Sequence, residues 1–87
     1  MATVVLRAPL RDLAGRGQIS VAGSSVGEAM FDLQRTKPKL VGWILDEQGD
    51  LRPHVAVFVN GERAKVDTPV TEADAISVLP SISGGAR

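Results

Sequence analysis

Val55-Ala56-Val57-Phe58-Val59-Asn60-Gly61 is the stretch that sets the architecture of this chain. Its near-continuous apolar run is the strongest strand in the sequence, and runs of this kind belong to the middle of a sheet. Asn60-Gly61 then makes a tight turn, because both residues tolerate positive φ. Downstream, Arg63 to Asp67 reads as a short edge strand, and Ala75-Ile76-Ser77-Val78-Leu79 as the last strand. Pro80 to Arg87 forms a polar, glycine-containing tail.

Upstream, Thr3 to Ala8 is rich in β-branched residues and reads as a strand, with Val4 and Leu6 on one face and Thr3, Val5 and Arg7 on the other. After a turn holding Gly15 and Gly17, Gln18 to Val21 alternates polar and apolar, so the two strands form an antiparallel hairpin. Ser25 and Glu28 fit a capping box. Val26, Ala29, Met30 and Leu33 then recur at helical spacing until Lys37-Pro38 stops the helix, predicting a helix over 26–36. Leu40, Trp43, Ile44 and Leu45 fit either a short helical turn or an extended piece packed on that helix. Asp46 to Asp50 is a turn.

Strand, strand, helix, strand, short strand, strand is the order of a β-grasp, the α+β arrangement of ubiquitin. One main helix should cross one face of a mixed sheet of four to five strands, with the first and last strands side by side at its centre. Helix-facing candidates are Val4, Leu6, Ile19, Val21, Val26, Met30, Leu33, Val57, Val59, Ile76 and Val78. The expected division is a domain over 1–82 and a tail over 83–87.

Composition narrows the chemistry. Ten basic residues balance ten acidic ones in 87. That balance lacks the cationic surplus needed to displace counterions from nucleic acid or to hold an anionic membrane. With no cysteine and one histidine, disulfides, thiolate catalysis and cysteine- or multi-histidine metal sites are excluded. Neither a bilayer-spanning apolar run nor a signal peptide is visible, and a soluble cytoplasmic protein is expected. No internal candidate rises above a plain structural role. His54 stands alone, Glu72 and Asp74 read as a solvated turn, Gly15-Arg16-Gly17 is too short for a phosphate loop, and Trp43 reads as core packing.

The tail is the exception. Ser83-Gly84-Gly85 follows Leu79-Pro80-Ser81-Ile82, and paired glycines carry a high entropic cost of ordering. Together with Leu10-Arg11-Asp12-Leu13, Val57-Phe58-Val59-Asn60-Gly61, Thr68-Pro69-Val70 and Asp74 to Pro80, this pattern resembles the ubiquitin-like sulfur carriers of the MoaD, ThiS and CysO type. The resemblance spans nearly the whole chain.

It implies a carrier with no active site and no bound cofactor. A ubiquitin-activating-type adenylating enzyme would use ATP to convert the carboxylate of Gly85 into an acyl adenylate. A sulfur donor would then displace AMP and leave a thiocarboxylate, while Gly84, lacking a Cβ, gives the tail access to a narrow channel. Gly85 is followed by Ala86 and Arg87. The resemblance therefore implies a cut between Gly85 and Ala86, by a metalloprotease of the JAMM type. Delivery would be to a biosynthetic enzyme making cysteine, methionine or a secondary metabolite. The alternatives are a protein modifier joined to targets through Gly85, the small subunit of molybdopterin synthase, and a plain interaction module with an inert tail. Alternation puts Phe58 and Leu79 on the sheet face away from the helix, with Arg7 and Arg63 nearby, as a candidate docking surface. Positions matching these arginines tend to be apolar in MoaD-type carriers, which weighs against the molybdopterin synthase alternative.

Overall fold

Alternation in the strands and helical spacing in 26–36 direct apolar side chains to one shared layer. In the computed structural model, which describes residues 1–80, that layer is the core between a sheet and a helix. The order is β1 (Ala2–Leu6), α1 (Leu10–Ala14), β2 (Gln18–Val21), α2 (Val26–Thr36), a 3-10 turn (Pro38–Leu40), β3 (Val55–Val59), β4 (Glu62–Ala64) and β5 (Ala75–Pro80). Among the described residues the five strands form one sheet in the order β2-β1-β5-β3-β4. β1 and β5 run parallel at its centre, with Val4 opposite Ile76 and Leu6 opposite Val78. The other neighbours are antiparallel. This is the β-grasp that the order of elements predicts.

Val4, Leu6, Val21, Val26, Ala29, Met30, Leu33, Val57, Ile76 and Val78 are buried together. Apart from Ala29, each of these buried side chains contributes about 1.5–3 kcal/mol. Ile19 and Val59 are only partly buried, packed against the rim of that cluster. The core also takes Leu10, Ala14, Leu40, Ile44, Leu45, Ala64 and Val70. These residues come from short elements and connections, where one or two apolar positions are too few to show a period.

Three local expectations are corrected. The first turn contains α1, whose Leu10 and Ala14 are buried one helical turn apart; Gly15, at φ 81°, ends it by donating its amide to the Arg11 carbonyl. β4 begins at Glu62 and stops at Ala64, earlier than the expected 63–67. Asn60 (φ 51°) and Gly61 (φ 87°) form a two-residue turn that makes Glu62 the partner of Val59. Past Ala64, Lys65 turns into local bonds with Thr68. Trp43 is 45% exposed and is not a core residue. Leu40 and Ile44 occupy the buried positions on either side of it, and the Trp43 amide closes a turn onto the Leu40 carbonyl.

Two clamps hold the frame. At the start of α2, Ser25 Oγ accepts from the Glu28 amide. Glu28 reaches back one residue further than a standard capping box and accepts from both the amide and the hydroxyl of Ser24. The helix's first free amides go to the loop before β5: Val26 N–H donates to the Thr68 carbonyl and Gly27 N–H to the Val66 carbonyl. A Cβ on Gly27 would stand 2.8 Å from Val66 Cγ2, so glycine is needed for this approach. The second clamp fixes the start of β5. Asn60 donates its side-chain amide to Asp74 Oδ1 and accepts from the Ala75 amide, while Asp74 Oδ2 accepts from Thr71.

Candidate functional site

β5 is the strand that leads to the glycine pair, and it is flanked on both sides, by β1 and β3. Pairing continues to its last residue, where Pro80 lies opposite Val55. The base of the tail is thus built into the centre of the sheet. Ser83, Gly84, Gly85, Ala86 and Arg87, together with the expected boundary at 82, lie outside the described residues. The site described here is therefore the surface surrounding the point where β5 ends.

Strand direction decides which residues collect there. β1 and β4 finish at this end, so Arg7 and Lys65 follow them; β2 and β3 start at it, so Arg16 and Arg52 precede them. All four are exposed, and among the described residues none forms an ion pair. His54, also exposed, lies at the same end. The cationic character is not uniform: Asp50 and Asp67 join Arg52, Arg63 and Lys65 in the cleft beside β4. At the opposite end the strands are flanked by Glu62, Glu72 and Asp74, with the Met1 ammonium 3.8 Å from Glu72. A chain of zero formal charge is polarised along its sheet, which a count of charges does not reveal.

The sheet face away from α2 carries the expected docking residues. Register aligns Gln18, Val5, Ser77, Phe58 and Arg63 in one row across all five strands. Leu79 sits in the adjacent row, opposite Ala56. Phe58 and Leu79 are half-buried, whereas Arg7 and Arg63 are exposed. The guanidinium carbon of Arg63 lies 5.9 Å from the Phe58 ring centroid, a cation–π distance. Arg63 therefore partly covers the ring instead of leaving an open apolar pair. Arg7, beyond the last residue of β1, stands at the end of this face nearest the tail.

The most exposed large apolar side chains lie elsewhere, and sequence reasoning missed them: Phe31 at 61%, Val41 at 60% and Trp43 at 45%, besides Met1. Phe31 was findable, since it falls off the Val26-Ala29-Met30-Leu33 stripe. Val41 and Trp43 follow a short 3-10 turn and have no readable period.

Three carboxylates of the described residues serve the fold. Asp74 is held below the ordinary carboxylate range, first by the Thr71 amide and then by Asn60. Glu28 is lowered by the Ser24 amide and hydroxyl. Asp32 is lowered chiefly by the Ala22 amide and further by its bond to Arg35. A hydrogen-bonded carboxylate is a poor proton acceptor, so none of these three is poised as a general base near neutral pH. Among the described residues no three His, Asp or Glu side chains gather to hold a metal ion, and no helix is long and apolar enough to cross a membrane.

Comparison with known proteins agrees with this picture of a scaffold carrying a tail. The chain is 30% identical to small archaeal modifier protein 1 of Haloferax volcanii over 83 residues, covering 92% of this chain and 95% of that protein. The crystal structure of that protein superposes with a TM-score of 0.82, covering 97% of this chain and 98% of the other. The sulfur carrier protein CysO of Mycobacterium tuberculosis is 25% identical over 77 residues, or 82% of this chain and 83% of that one. A chain of the Amycolatopsis orientalis BexX/CysO complex shares the fold at a TM-score of 0.86 and 23% identity, covering 98% of this chain and all of the other. The ThiS family model matches residues 4–85, from within β1 to the second glycine of the tail. With its sheet, helix and glycine pair in family order, the chain belongs to the ThiS family, small proteins of the sulfur-carrier or archaeal-modifier kind that are not themselves enzymes.

Proposed function

We propose that this protein is a sulfur carrier whose reacting group is the carboxyl of Gly85, released by cleavage of the Gly85–Ala86 bond. The observation that carries this reading is the extent of the family match, which ends on Gly85 and leaves Ala86 and Arg87 outside it. An amide-blocked glycine has no carboxylate to activate, so a peptidase, of the JAMM metalloprotease type, must act first. Water adds across the Gly85–Ala86 amide, giving a free Gly85 carboxylate and the released segment that begins at Ala86. An adenylating enzyme then joins that carboxylate to the α-phosphate of ATP with loss of pyrophosphate. A sulfur donor displaces AMP and leaves the thiocarboxylate, which serves a biosynthetic enzyme making cysteine, methionine or a secondary metabolite. Gly84 gives the tail the slim backbone that entry into the partner's site requires.

Docking is assigned to Phe58 and Leu79 on the open face, with Arg7 and Arg63 at its margin. The polarised sheet supports a partner whose rim is acidic around the channel that receives the tail, since complementary fields raise the rate of encounter. Arg7→Glu with Arg63→Glu should slow activation and weaken its salt dependence, measured as pyrophosphate release rate against sodium chloride. Unchanged kinetics would remove these arginines from the docking surface.

The decisive experiment uses the chain ending at Gly85, a cognate adenylating enzyme, ATP and a sulfide source, with intact mass as the readout. Exchange of one oxygen for sulfur is expected, a gain of about 16 Da. The absence of that exchange with every cognate enzyme tried would overturn the carrier reading. A second reading, conjugation through Gly85 to lysines of target proteins, is favoured by the 30% identity to a small archaeal modifier protein. Recovery of isopeptide-linked adducts from cells would establish it.

A further inference from the structure

A sheet with β2 and β4 at its margins has two edges, and the protein treats them differently. β4 is three residues long. Its two-residue turn makes Val59 and Glu62 the closing pair, so among its residues only Arg63 directs its backbone N–H and C=O outward. Beyond Ala64 the edge is folded shut, because Lys65 N–H donates to Thr68 Oγ1 and its carbonyl accepts from the Thr68 amide.

β2 remains open. The Leu6 amide donates to the Gly17 carbonyl at 2.8 Å, which fixes the alternation of the β1–β2 ladder. Ile19 and Val21 exchange bonds with β1, while Gln18 and Ser20 point their backbone groups away from it. The Thr3 amide confirms the phase, since it bonds the Asp74 carbonyl on the β5 side. Ala22 is the next residue with this outward phase, and its amide is taken by Asp32 from α2 at 2.9 Å. The protein thus seals one end of the edge and leaves Gln18 and Ser20 free.

The cleft along this edge is lined by Thr3, Arg16, Gln18, Ile19, Ser20, Thr36 and Lys37. It contains two cations and no carboxylate, and among the described residues neither cation is ion-paired. Ile19, in the same lining, is half-buried against the core and offers one apolar contact. Unpaired backbone groups recognise extended chain, Ile19 recognises an apolar side chain, and the cations recognise carboxylates.

We infer that β2 is a docking edge for an extended, acidic segment of a partner protein, which adds as a sixth strand beside Gln18–Ser20 and places its carboxylates against Arg16 and Lys37. This goes beyond the sulfur-carrier reading and does not depend on it.

The test uses the full chain, ¹⁵N-labelled, and a capped heptapeptide of three central valines flanked by two glutamates on each side. Backbone amide shifts should move at Gln18 and Ser20. Replacing the glutamates by lysines should weaken binding by about tenfold, the factor set by two partly exposed charge pairs. N-methylating the central valines should abolish it, since a paired strand needs those donors. Arg16→Glu combined with Lys37→Glu should reproduce the charge effect, and the two peptide controls keep the result independent of that variant's folding. Three outcomes would overturn the inference: no shift at Gln18 and Ser20 at millimolar peptide, equal binding of the lysine peptide, or shifts that follow protein concentration without peptide. The last would assign the edge to a second copy of this chain.

Discussion

The two ends of β5 are built for opposite purposes. At its start, Asn60, Thr71 and Asp74 form a closed set of hydrogen bonds that ties the β3–β4 turn to the first residue of the strand. The loop feeding that start is in turn bonded to the first turn of α2. Where β5 ends, Arg7, Arg16, Arg52 and Lys65 stand exposed without ion pairs among the described residues. Local bonds satisfied within the chain contribute stability, whereas charges left unsatisfied remain available to a partner. A chain whose chemistry belongs to other proteins needs both: a fixed base for the tail and a surface that others can read.

This contrast breaks if the wrong end controls the wrong property. The largest effect is expected at Gly85→Ala in the chain ending at residue 85. If Gly85 carries the reacting group as proposed, a Cβ there would displace the acyl carbon in the partner's site, and misplacement of a reacting group by about 1 Å costs on the order of 10²-fold in rate. Thiocarboxylate formation should fall by that order while the Tm stays unchanged. Asn60→Ala should do the reverse. It removes two side-chain bonds and leaves alanine at φ 51°, a loss of about 2 kcal/mol or about 10 °C in Tm for a domain of this size. The activation rate per folded molecule should hold. Equal losses of stability and activation in both variants would dissolve the distinction between the ends.

Gly27→Ala sharpens the same comparison at the loop that feeds β5. Alanine gains about 1 kcal/mol in helix propensity but is pressed against Val66, an overpacking cost of about 1–3 kcal/mol. A net loss of about 1 kcal/mol is expected by thermal denaturation. Val66→Ala in the same chain should recover part of it by removing the Cγ2 that the new Cβ meets at 2.8 Å.

The sequence carried the fold wherever a periodic signal was long enough. Helix 26–36, the Asn60-Gly61 turn, and the strands at 55–59 and 75–79 were all legible because each repeats its pattern or ends on a residue with a distinctive backbone preference, although the last strand runs one residue further, to Pro80. α1 was missed because five residues give only one pair of buried positions, Leu10 and Ala14. Trp43 was misjudged because its size favours burial, whereas the turn at 40–44 gives the buried positions to Leu40 and Ile44. The glycine pair of the tail was legible only in combination with the motifs that precede it. The polarity around its base was not, because Arg7, Arg16, Arg52 and Lys65 are far apart in sequence and meet only through strand direction. The family motif also changes meaning in three dimensions. Thr68, Asn60 and Asp74 look like carrier signatures in the sequence, yet each is occupied in holding α2 or β5.

That occupation gives the smallest expected effect, and the one that tests the fixed end most directly. Asp74, Glu28 and Asp32 all have carboxyls lowered in the folded state by amide donors that the unfolded chain lacks. Between their folded values and the unfolded values of about 4, the unfolded chain binds more protons than the folded one. Their contribution is therefore fully present above pH 5 and fades as the pH falls through the folded values. Tm should be level from pH 7 to about 5 and decline below about 4. Glu28 is exposed and Asp32 and Asp74 are half-buried, so water screens these bonds in part and keeps the change modest. Asp74→Asn should lower the plateau and make the acid decline shallower, because asparagine cannot accept from Thr71 and Asn60 as a carboxylate does and has no proton to gain. Glu72→Gln, at an exposed side chain two residues away, should leave the curve as it is. If both variants behave alike, the bonds at the start of β5 do not fix it, and the difference between its two ends lies in charge alone.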